Sequence, residues 1–504
     1  VAVMLPSLPA RLKKCFKTLL YSLALISLFA SCSDDDNDNK GVESGDVQML
    51  TFGFYAADND GVIQGDYEVS AIAGTDIKIP MPDEINRASL VARFTTSDGA
   101  TVTVNGITQV SGVTANNFSV PVDYLVTSGN NNARYTVRIT KMPTWSAYST
   151  FTEDSISDIV LRVNPKTYEP YVAIIKARKE ADEKKVAVLK TTGSAWSYVG
   201  DKDGISDGRA TALAFNFDAD ANMYVAYSDY SAEVAQDMTA QMYNGSSWSV
   251  LGAKGLTGDK TNYITIGALS PADVVTTFGV NNKKSDDYKK LMVSGYNGSW
   301  ASPSLMAGRP ADAPAWFNLI KRYGDALYLG TFDMVTSGGY SIYKYQNKQW
   351  STIGQIIVPS GAAICYRGGE IHFDLDKSGN IYALVSDDGP DGQGNYKVSV
   401  QKYNANTKKW NMVDNYLDTG GKVPGSMDIG ISPEGLPVVV FVNSSKQASV
   451  ITFDNESKQW SDPFVLGSAT VSYVAIEFDQ NGTGYIVCLD SQKDLIMYKY
   501  IIPE

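Results

Sequence analysis

Short runs in which hydrophobic and polar residues alternate follow one another from Val47 to the end of the chain. They are rich in β-branched and aromatic residues, and each is bounded by Gly, Asn, Asp or Ser, as in half-buried strands joined by tight turns. Long helical patterns are hard to find. The 43 glycines and 30 tyrosines among 504 residues also favour strands and turns. The sequence therefore predicts an all-β protein, and its length predicts more than one domain.

Seven of the eight tryptophans recur at intervals of 50 to 60 residues, at Trp145, Trp196, Trp248, Trp300, Trp350, Trp410 and Trp460. Each unit repeats one order of elements: the strand with the tryptophan, a polar loop, an alternating strand such as "ATALAFNFD", a turn, and a strand apolar on both faces such as "MYVAYSD". A further strand ends in an aromatic residue before the next tryptophan. A period near fifty with several strands per unit predicts the four-stranded blades of a β-propeller.

The phrase "YNGSSWSVLG" at 243–252 has relatives at 296, 345, 403 and 453. It predicts a hairpin in which an aromatic residue ends one strand, Asn and Gly make the turn, and tryptophan begins the next strand. We expect the tryptophan to pack between blades rather than to contact a ligand. The last unit lacks its tryptophan strand, which "TWSAYSTF" from Thr144 can supply. Residues 143–504 are therefore predicted to form a seven-bladed propeller whose two ends pair, which removes exposed sheet edges.

The first 31 residues have the features of a secretory signal peptide, because a basic segment from Arg11 precedes the apolar run "TLLYSLALISLFA". The end of this run, "LFASC", resembles the lipobox of bacterial lipoproteins, which implies cleavage before Cys32 and acylation of that cysteine. The acidic tether at 32–45 resembles the export signal of Bacteroidota-type surface lipoproteins. The alternative is a solvated linker behind an ordinary transmembrane anchor. The predicted location is the outer membrane, with a lipid anchor and exposure at the cell surface.

The formal net charge of −12 at pH 7 argues against a nucleic-acid partner, because binding to phosphates requires clustered Lys and Arg. Of the four cysteines, Cys15 lies in the leader and Cys32 would carry lipid. Cys365 and Cys488 remain, each within a strand-like run. Two buried structural thiols are the favoured interpretation, and a disulfide between them is the alternative in an exported protein.

Residues 46–142 are predicted to form a small β-sandwich. The order "LTFGFYAADNDG", "ATVTVNGITQVSGVTANNFSVPVDYLVTS" and "RYTVRITK" resembles an immunoglobulin-like module of unknown function at the N-terminus of Bacteroidota surface lipoproteins. The resemblance implies a spacer or adhesion domain and brings no catalytic residues. In the propeller region, the order of aromatic, turn and tryptophan loosely resembles kelch-type propellers, although the paired glycines of that family are absent from the sequence.

Loops at one mouth of a propeller channel usually meet the ligand, and the loops that follow the tryptophan strands should line that mouth. They contain the basic and aromatic residues Arg209, Lys260, Tyr263, Arg309, Trp316, Arg367 and Lys422. Arginine forks suit a carboxylate or sulfate, and tryptophan can stack on a sugar, so the prediction is an anionic glycan at this mouth. The alternative is that Trp316 is buried and that the arginines pair with nearby acids, namely Asp201, Asp203, Asp207, Asp312 or Glu370.

By alternation, one face of the strand "GEIHFDLD" carries four polar residues, which are Glu370, His372, Asp374 and Asp376. His372 is the only histidine in the sequence, so a zinc site would need carboxylates as its other ligands, and a polar row facing the channel is favoured. "DLDKSGN" begins like a calcium loop, but Val385 stands where the bidentate Glu belongs, so a hairpin turn is predicted. No metal or other cofactor is predicted.

The predicted function is a non-catalytic binding or interaction module at the cell surface, with a glycan or a surface protein as its partner. Two other classes stay open. One is a carbohydrate-active enzyme, a glycoside hydrolase or lyase, which would use paired carboxylates, although no pair stands out among the many aspartates. The other is a purely structural part of a surface complex.

Overall fold

A computed structural model describes residues 47–63, 65–69, 72, 74–81, 85–141, 144–177, 184–309, 313–333, 339–354, 370–387, 389, 396–421, 423–432, 434–455 and 457–501. In this part the chain is all-β, apart from one 3₁₀ turn, η1 (Ala56–Asp58). The described residues divide into two compact units: the first runs to Ile79 and resumes from Ile85 to Ile139, and the second comprises the remainder. Nowhere in these ranges is there a helix of the length and apolarity needed to cross a bilayer.

Several sequence predictions concern segments outside the described residues. These are the signal peptide at 1–31, the acylation site Cys32, the acidic tether at 32–45, and the residues Cys365, Arg367 and Lys422.

Nine strands begin in the first unit: β1 (Met49–Phe54), β2 (Tyr67–Val69), β3 (Asp76–Met81), β4 (Leu90–Thr96), β5 (Thr101–Val104), β6 (Ile107–Thr108), β7 (Ala115–Asn116), β8 (Val122–Ser128) and β9 (Asn131–Lys141). They form two sheets, with the orders β2-β1-β4-β7 and β3-β9-β8-β5-β6. Phe52 on β1 meets Tyr124 on β8 edge to face, with ring centroids 5.1 Å apart. The two sheets therefore share an aromatic core. That this unit is immunoglobulin-like stays a prediction.

The second unit opens with β10 (Thr144–Phe151), and antiparallel sheets follow in chain order. The first sheet contains β11 (Ile156–Val163), β12 (Pro170–Lys176), β13 (Val186–Thr192) and β14 (Ala195–Tyr198). The second contains β15 (Ala210–Phe217), β16 (Met223–Asp229), β17 (Asp237–Tyr243) and β18 (Trp248–Val250). The third contains β19 (Thr261–Ser270), β20 (Asp273–Val280), β21 (Leu291–Tyr296) and β22 (Ser304–Leu305).

Four more sheets complete the described part of this unit. The fourth contains β23 (Ala315–Tyr323), β24 (Ala326–Asp333), β25 (Gly339–Gln346) and β26 (Gln349–Thr352). The fifth contains β27 (His372–Leu375), β28 (Ile381–Asp387), β29 (Lys397–Asn404) and β30 (Lys409–Met412). The sixth contains β31 (Met427–Ile431), β32 (Pro437–Val442), β33 (Ala448–Asp454), β34 (Gln459–Trp460) and β35 (Phe464–Val465). The seventh contains β36 (Val471–Phe478), β37 (Gly484–Asp490) and β38 (Leu495–Ile501), together with β10.

The first strands of neighbouring sheets contact one another in cyclic order, from β11 through β15, β19, β23, β27 and β31 to β36, which contacts β11. The second strands are buried along their whole length in the first, second and fifth sheets, as their apolar sequences predict. The hydrophobic core lies between successive sheets. Phe215 and Phe217 of the second sheet, for example, pack with Tyr171 and Val188 of the first.

The two ends of the repeat region pair in the seventh sheet. β10 runs antiparallel to β38, with Trp145 opposite Tyr500 and Phe151 opposite Leu495. The strand order β10-β38-β37-β36 makes β10 the fourth strand of this sheet. The predicted pairing between the two ends is therefore confirmed.

The hairpin predicted from "YNGSSW" lies between β17 and β18. Tyr243 pairs with Trp248, and their ring centroids are 5.3 Å apart. The Asn244 side chain accepts hydrogen bonds from two backbone N–H groups that follow it, and Gly245 takes a φ of 96°. The corresponding turn of the fourth sheet takes its positive φ angles without glycine, at an asparagine and a lysine.

Tryptophans of the repeat connect neighbouring sheets. The indole N–H of Trp248 donates to the carbonyl of Val199 at 2.7 Å, and that of Trp300 donates to the carbonyl of Leu251 at 2.7 Å. Each acceptor follows the outermost strand of the preceding sheet and stands directly before a glycine. A Cβ atom on one of these glycines, Gly252, would lie 2.7 Å from the indole of Trp300. The predicted structural role of the tryptophan is confirmed at these two positions.

Cys488 on β37 is a free and buried thiol. Burial raises its pKa to about 12, so the thiol keeps its proton at neutral pH and is unreactive. The prediction of a buried structural thiol is confirmed for this residue.

Candidate functional site

Each first strand carries one residue at an equivalent position near its carboxyl end. These positions are equivalent because each one pairs with the same position of the second strand of its sheet. That paired residue is tyrosine in five sheets and valine in two. We call these residues the floor layer: Arg162, Asn216, Gly267, Lys321, Asp374, Gly430 and Glu477. Five are polar. The glycines stand where the neighbouring sheet approaches closely, as at Gly430, where a Cβ would lie 2.9 Å from Phe478.

Carboxylates on the first strands accept hydrogen bonds from the backbone of the next first strand. Asp374 on β27 accepts from the N–H of Ile431 on β31 at 3.0 Å, and Asp428 on β31 accepts from β36 at 3.0 Å. Glu477 on β36 accepts from the N–H of Val163 on β11 at 3.0 Å. These bonds hold the fifth, sixth, seventh and first sheets together, because each one satisfies a backbone group of a neighbouring sheet.

Arg162 crosses the space between the first strands. Its guanidinium donates to the carbonyl of Ile320 on β23 at 3.3 Å and to that of Leu161 at 2.7 Å. Asn216 reaches the same carbonyl of Ile320 at 3.4 Å. The carboxylate of Glu477 lies 3.6 Å from the guanidinium, whose buried Nε has no hydrogen-bond partner within the described ranges. These side chains narrow the space between the strands at the level of the floor layer.

A cavity of about 1320 Å³ opens beyond the floor layer, on the side of the turns between first and second strands. All five polar members of the floor layer line it. It extends outward along the fifth and sixth sheets, past Tyr382 and Lys402 to Asn411 and Lys458. The first and fourth strands of a sheet are three spacings of about 4.8 Å apart, so this extension is about 14 Å long. We call this cavity the groove.

Aspartates shape the turns that form the wall of the groove. Asp376 accepts hydrogen bonds from the backbone N–H groups of Ser378 at 2.9 Å and Asn380 at 3.0 Å. Its second oxygen accepts from the side-chain amide of Asn380 at 2.8 Å. Asp479 accepts from the N–H of Thr483 at 2.8 Å in the seventh sheet. The segment "DLDKSGN" is therefore a hairpin turn, as predicted.

His372 lies between two carboxylates, on the amino-terminal side of the floor layer. Its Nε2 is 2.9 Å from Glu370 and its Nδ1 is 3.2 Å from Asp428. Burial alone would lower the pKa of His372, but the hydrogen bonds and charges of Asp428 and Glu370 outweigh it and raise the pKa to about 9. The imidazole is therefore a cation at neutral pH and links the fifth sheet to the sixth.

The residues predicted to bind a ligand lie toward the amino ends of the first strands, at the opposite ends from the groove. Five of them belong to the described residues, and none of these five lines the groove: Arg209, Lys260, Tyr263, Arg309 and Trp316. Lys260 and Tyr263 are exposed, and Trp316 is partly buried against the core between the fourth and fifth sheets. A ligand site at this mouth stays a prediction.

The two described arginines of that prediction make contacts within the protein. The guanidinium of Arg309 donates to the backbone carbonyls of Ala313 at 2.5 Å and Pro314 at 2.8 Å. The guanidinium of Arg209 lies over the ring of Tyr230, 4.6 Å from its centroid. Both guanidinium groups are therefore in contact with groups of the protein itself.

Sequence reasoning named one member of the floor layer, Asp374, in the polar row predicted to face the channel, and missed the others, although a signal for them is present. A polar residue stands between apolar neighbours, two positions before a turn residue, in "LRVN", "FNFD", "FDLD" and "IEFD". Aligning the alternating strands by this phrase would have found Arg162, Asn216, Asp374 and Glu477. The outer part of the groove has no such signal, because it depends on how neighbouring sheets are placed.

One family matches part of the chain. Residues 62–139 match the family model described as SGBP, N-terminal, where SGBP denotes surface glycan-binding protein. The match falls in the first unit and does not include the groove. No curated protein has a sequence that matches this chain.

Solved structures similar to this chain include carbohydrate-active and carbohydrate-binding proteins. An ulvan lyase of polysaccharide lyase family PL25 has 13% identity and a TM-score of 0.44, over 70% of this chain and 95% of that one. A six-bladed propeller lectin from Aleuria aurantia has 11% identity and a TM-score of 0.39, over 70% and 93%. An α-L-arabinanase from Penicillium chrysogenum has 9% identity and a TM-score of 0.38, over 58% and 93%. Similarity at this level says nothing about the ligand or activity of this chain.

Proposed function

We propose that the protein is a surface glycan-binding protein, that its second unit is a seven-bladed β-propeller, and that a glycan binds in the groove. The family match over residues 62–139 supports the function and a place at the cell surface. Support for the propeller comes from the seven sheets in chain order, the cyclic contacts of their first strands, and the pairing of β10 with β38. The lipid anchor predicted at Cys32 would tether the protein to the outer membrane.

The size of the groove is the observation that indicates the class of ligand. Its volume of about 1320 Å³ exceeds the roughly 300–1,000 Å³ of typical small-molecule sites. Its lining combines many polar side chains with the aromatic residues Tyr382 and Phe453. An extended, hydroxyl-rich chain of several sugars fits such a groove better than a compact metabolite does.

Binding without catalysis is the function that the carboxylates of the groove favour. Both oxygens of Asp374 accept backbone hydrogen bonds, and one oxygen of Glu477 accepts from Val163. These carboxylates are therefore held to the structure of the sheets. A general acid or base must instead reach the glycosidic oxygen or a water molecule.

A carbohydrate-active enzyme is the second candidate, because Asp374 and Glu477 line the same cavity. Burial raises the pKa of Glu477 against the lowering effect of Arg162 and Lys321. A carboxyl group with a raised pKa that shares a cavity with a second carboxyl group could act as the general acid of glycoside hydrolysis. Long incubation with every bound glycan, followed by chromatography, separates the two candidates: unchanged glycan supports binding, and shortened products support catalysis.

The binding proposal is tested by filling the groove. Asn411, exposed on β30, lines it directly after the tryptophan of its sheet. Glycan arrays and calorimetry with Asn411→Trp should show loss of the glycans that the unchanged protein binds. Ser249→Trp is the matched control, since Ser249 is also exposed and occupies the same place after Trp248, outside the groove. Equal binding by both variants contradicts the proposal.

A further inference from the structure

The carboxylates of the groove are engaged by the protein itself. Each of the six that line the groove within the described residues accepts at least one hydrogen bond from a backbone N–H or a hydroxyl: Asp374, Asp376, Asp414, Glu434, Glu477 and Asp479. The bonds of Asp374 and Asp376 occupy both oxygens. The negative charges of the groove therefore mainly stabilise turns and contacts between sheets.

Two cations of the groove lie near carboxylates, since Arg162 is 3.6 Å from Glu477 and Lys321 is 4.0 Å from Asp374. Arg322 and Lys402 are less engaged. Arg322, at the carboxyl end of β23, is partly buried, and its guanidinium donates one hydrogen bond, to the carbonyl of Gly324 at 2.9 Å. It forms no ion pair with any carboxylate of the described ranges. Burial lowers the pKa of Arg322, and the distant charges of Asp218 and Glu477 do not compensate for it. A desolvated cation without a counter-ion is costly, and an anion bound beside it removes that cost.

Lys402 lines the groove from the neighbouring fifth sheet. It is partly buried on β29, and its ammonium group lies 5.0 Å from the centre of the Tyr382 ring, the residue it faces across the strands. Within the described residues it has no carboxylate partner. Further out, Lys458 bonds to the side chain of Asn455 at 2.6 Å. Charged donors from the fourth, fifth and sixth sheets thus line the groove, and each of its described carboxylates already accepts a hydrogen bond from the protein.

We propose that the groove selects acidic glycans and binds their carboxylate or sulfate groups through Arg322 and Lys402. This inference rests on the proposed function and adds the chemical class of the ligand. The planar guanidinium of Arg322 has donors left to form a bidentate pair with either anion. Lys402 adds a second positive charge, held 5.0 Å from the centre of the buried Tyr382 ring, and this charge suits an anionic substituent on the bound sugar.

Pairs of probes that differ only in charge test the inference. Calorimetry on the full chain should use oligogalacturonate with its methyl ester, and a sulfated galactan oligosaccharide with its desulfated form. At least one acidic probe should bind about tenfold or more tightly than its neutral partner. Which pair shows the difference identifies carboxylate or sulfate as the recognised group.

Substitutions then test which residues recognise the acidic group of the glycan. Arg322→Gln and Lys402→Gln should each weaken the acidic probe about tenfold and leave the neutral probe unchanged. Lys344→Gln is the matched control, because Lys344 faces Tyr328 across the fourth sheet with the ammonium 5.9 Å from the ring, outside the groove. Thermal unfolding should show that all three variants fold like the unchanged protein.

The outcomes separate the inference from the function on which it rests. Equal affinity for acidic and neutral probes overturns the charge selection and leaves glycan binding intact. A selectivity that survives both substitutions overturns the assignment to Arg322 and Lys402. Absence of binding to all four probes and to neutral glycans on an array overturns the proposed function, and the inference with it.

Discussion

The carboxylate of Glu477 accepts a hydrogen bond from the backbone N–H of Val163 at 3.0 Å, although the two residues are 314 positions apart. The bond joins the seventh sheet to the first through β36, at the opposite edge of the seventh sheet from the pairing of β10 with β38. The two ends of the second unit are therefore connected through the first strands as well as through the outermost strand. The contact between the seventh and first sheets therefore includes a partly buried hydrogen bond in addition to apolar packing.

Removing this acceptor should destabilise the protein. Glu477→Leu leaves the N–H of Val163 without a partner, and we expect the free energy of unfolding to fall by about 1–3 kcal/mol. Glu477→Gln keeps a side-chain oxygen at this position and should cost less. Chemical denaturation of the three proteins measures the difference, and equal losses would show that the hydrogen bond does not stabilise the contact between the seventh and first sheets.

The close approach of tryptophan and glycine gives a second prediction. Gly252→Ala places a Cβ 2.7 Å from the Trp300 indole at a φ of 79°. We expect a loss of about 1–2 kcal/mol from the backbone conformation and a further 1–3 kcal/mol from the steric conflict. Gly245→Ala is the control, since Gly245 has a φ of 96° and nothing within 4 Å of the added atom. Equal midpoints in thermal unfolding would contradict the role of this contact.

The pH dependence of stability should reveal the His372 cation. Its pKa of about 9 in the folded protein lies above the usual 6.5, so its stabilising contribution is complete below pH 6.5 and disappears as the pH rises through about 9. We expect about 2 kcal/mol, allowing for solvent around the partly exposed Glu370. Urea unfolding from pH 6 to pH 10 measures it. His372→Gln should remove this pH dependence, and an identical profile in both proteins would contradict the bridge.

The mouth predicted from the sequence gives a fourth prediction. A protein with Arg209→Ala, Lys260→Ala and Tyr263→Ala should keep its glycan affinity within about twofold, because these residues do not line the groove. Calorimetry with the best glycan from the array decides this. A tenfold loss would place the ligand at those loops instead.

The architecture could be predicted from the sequence because it repeats. The spacing of the tryptophans indicated the sheets, and "TWSAYSTF" indicated the strand that pairs with β38. Both depend on local patterns, namely alternation, turn residues and an aromatic residue at a fixed place in each hairpin. The contact of Trp248 with the preceding sheet follows from the same pattern once the sheets are known.

The groove could not be predicted in the same way. Arg162 contributes to it because its long side chain crosses to β23, and no local pattern encodes that distance. Arg322 and Lys402 approach the same cavity from different sheets, and their lack of carboxylate partners within the described residues depends on three-dimensional placement. The sequence prediction instead favoured loops with many basic residues, where Arg309 bonds to the backbone carbonyls of its own loop.

The most direct test of glycan binding in the groove is a crystal structure of the full chain with the tightest-binding oligosaccharide from the array. We predict sugar density between the fifth and sixth sheets, with its acidic group within hydrogen-bond distance of Arg322 or Lys402. Density at the loops of Arg209 and Tyr263, with none in the groove, would contradict the account.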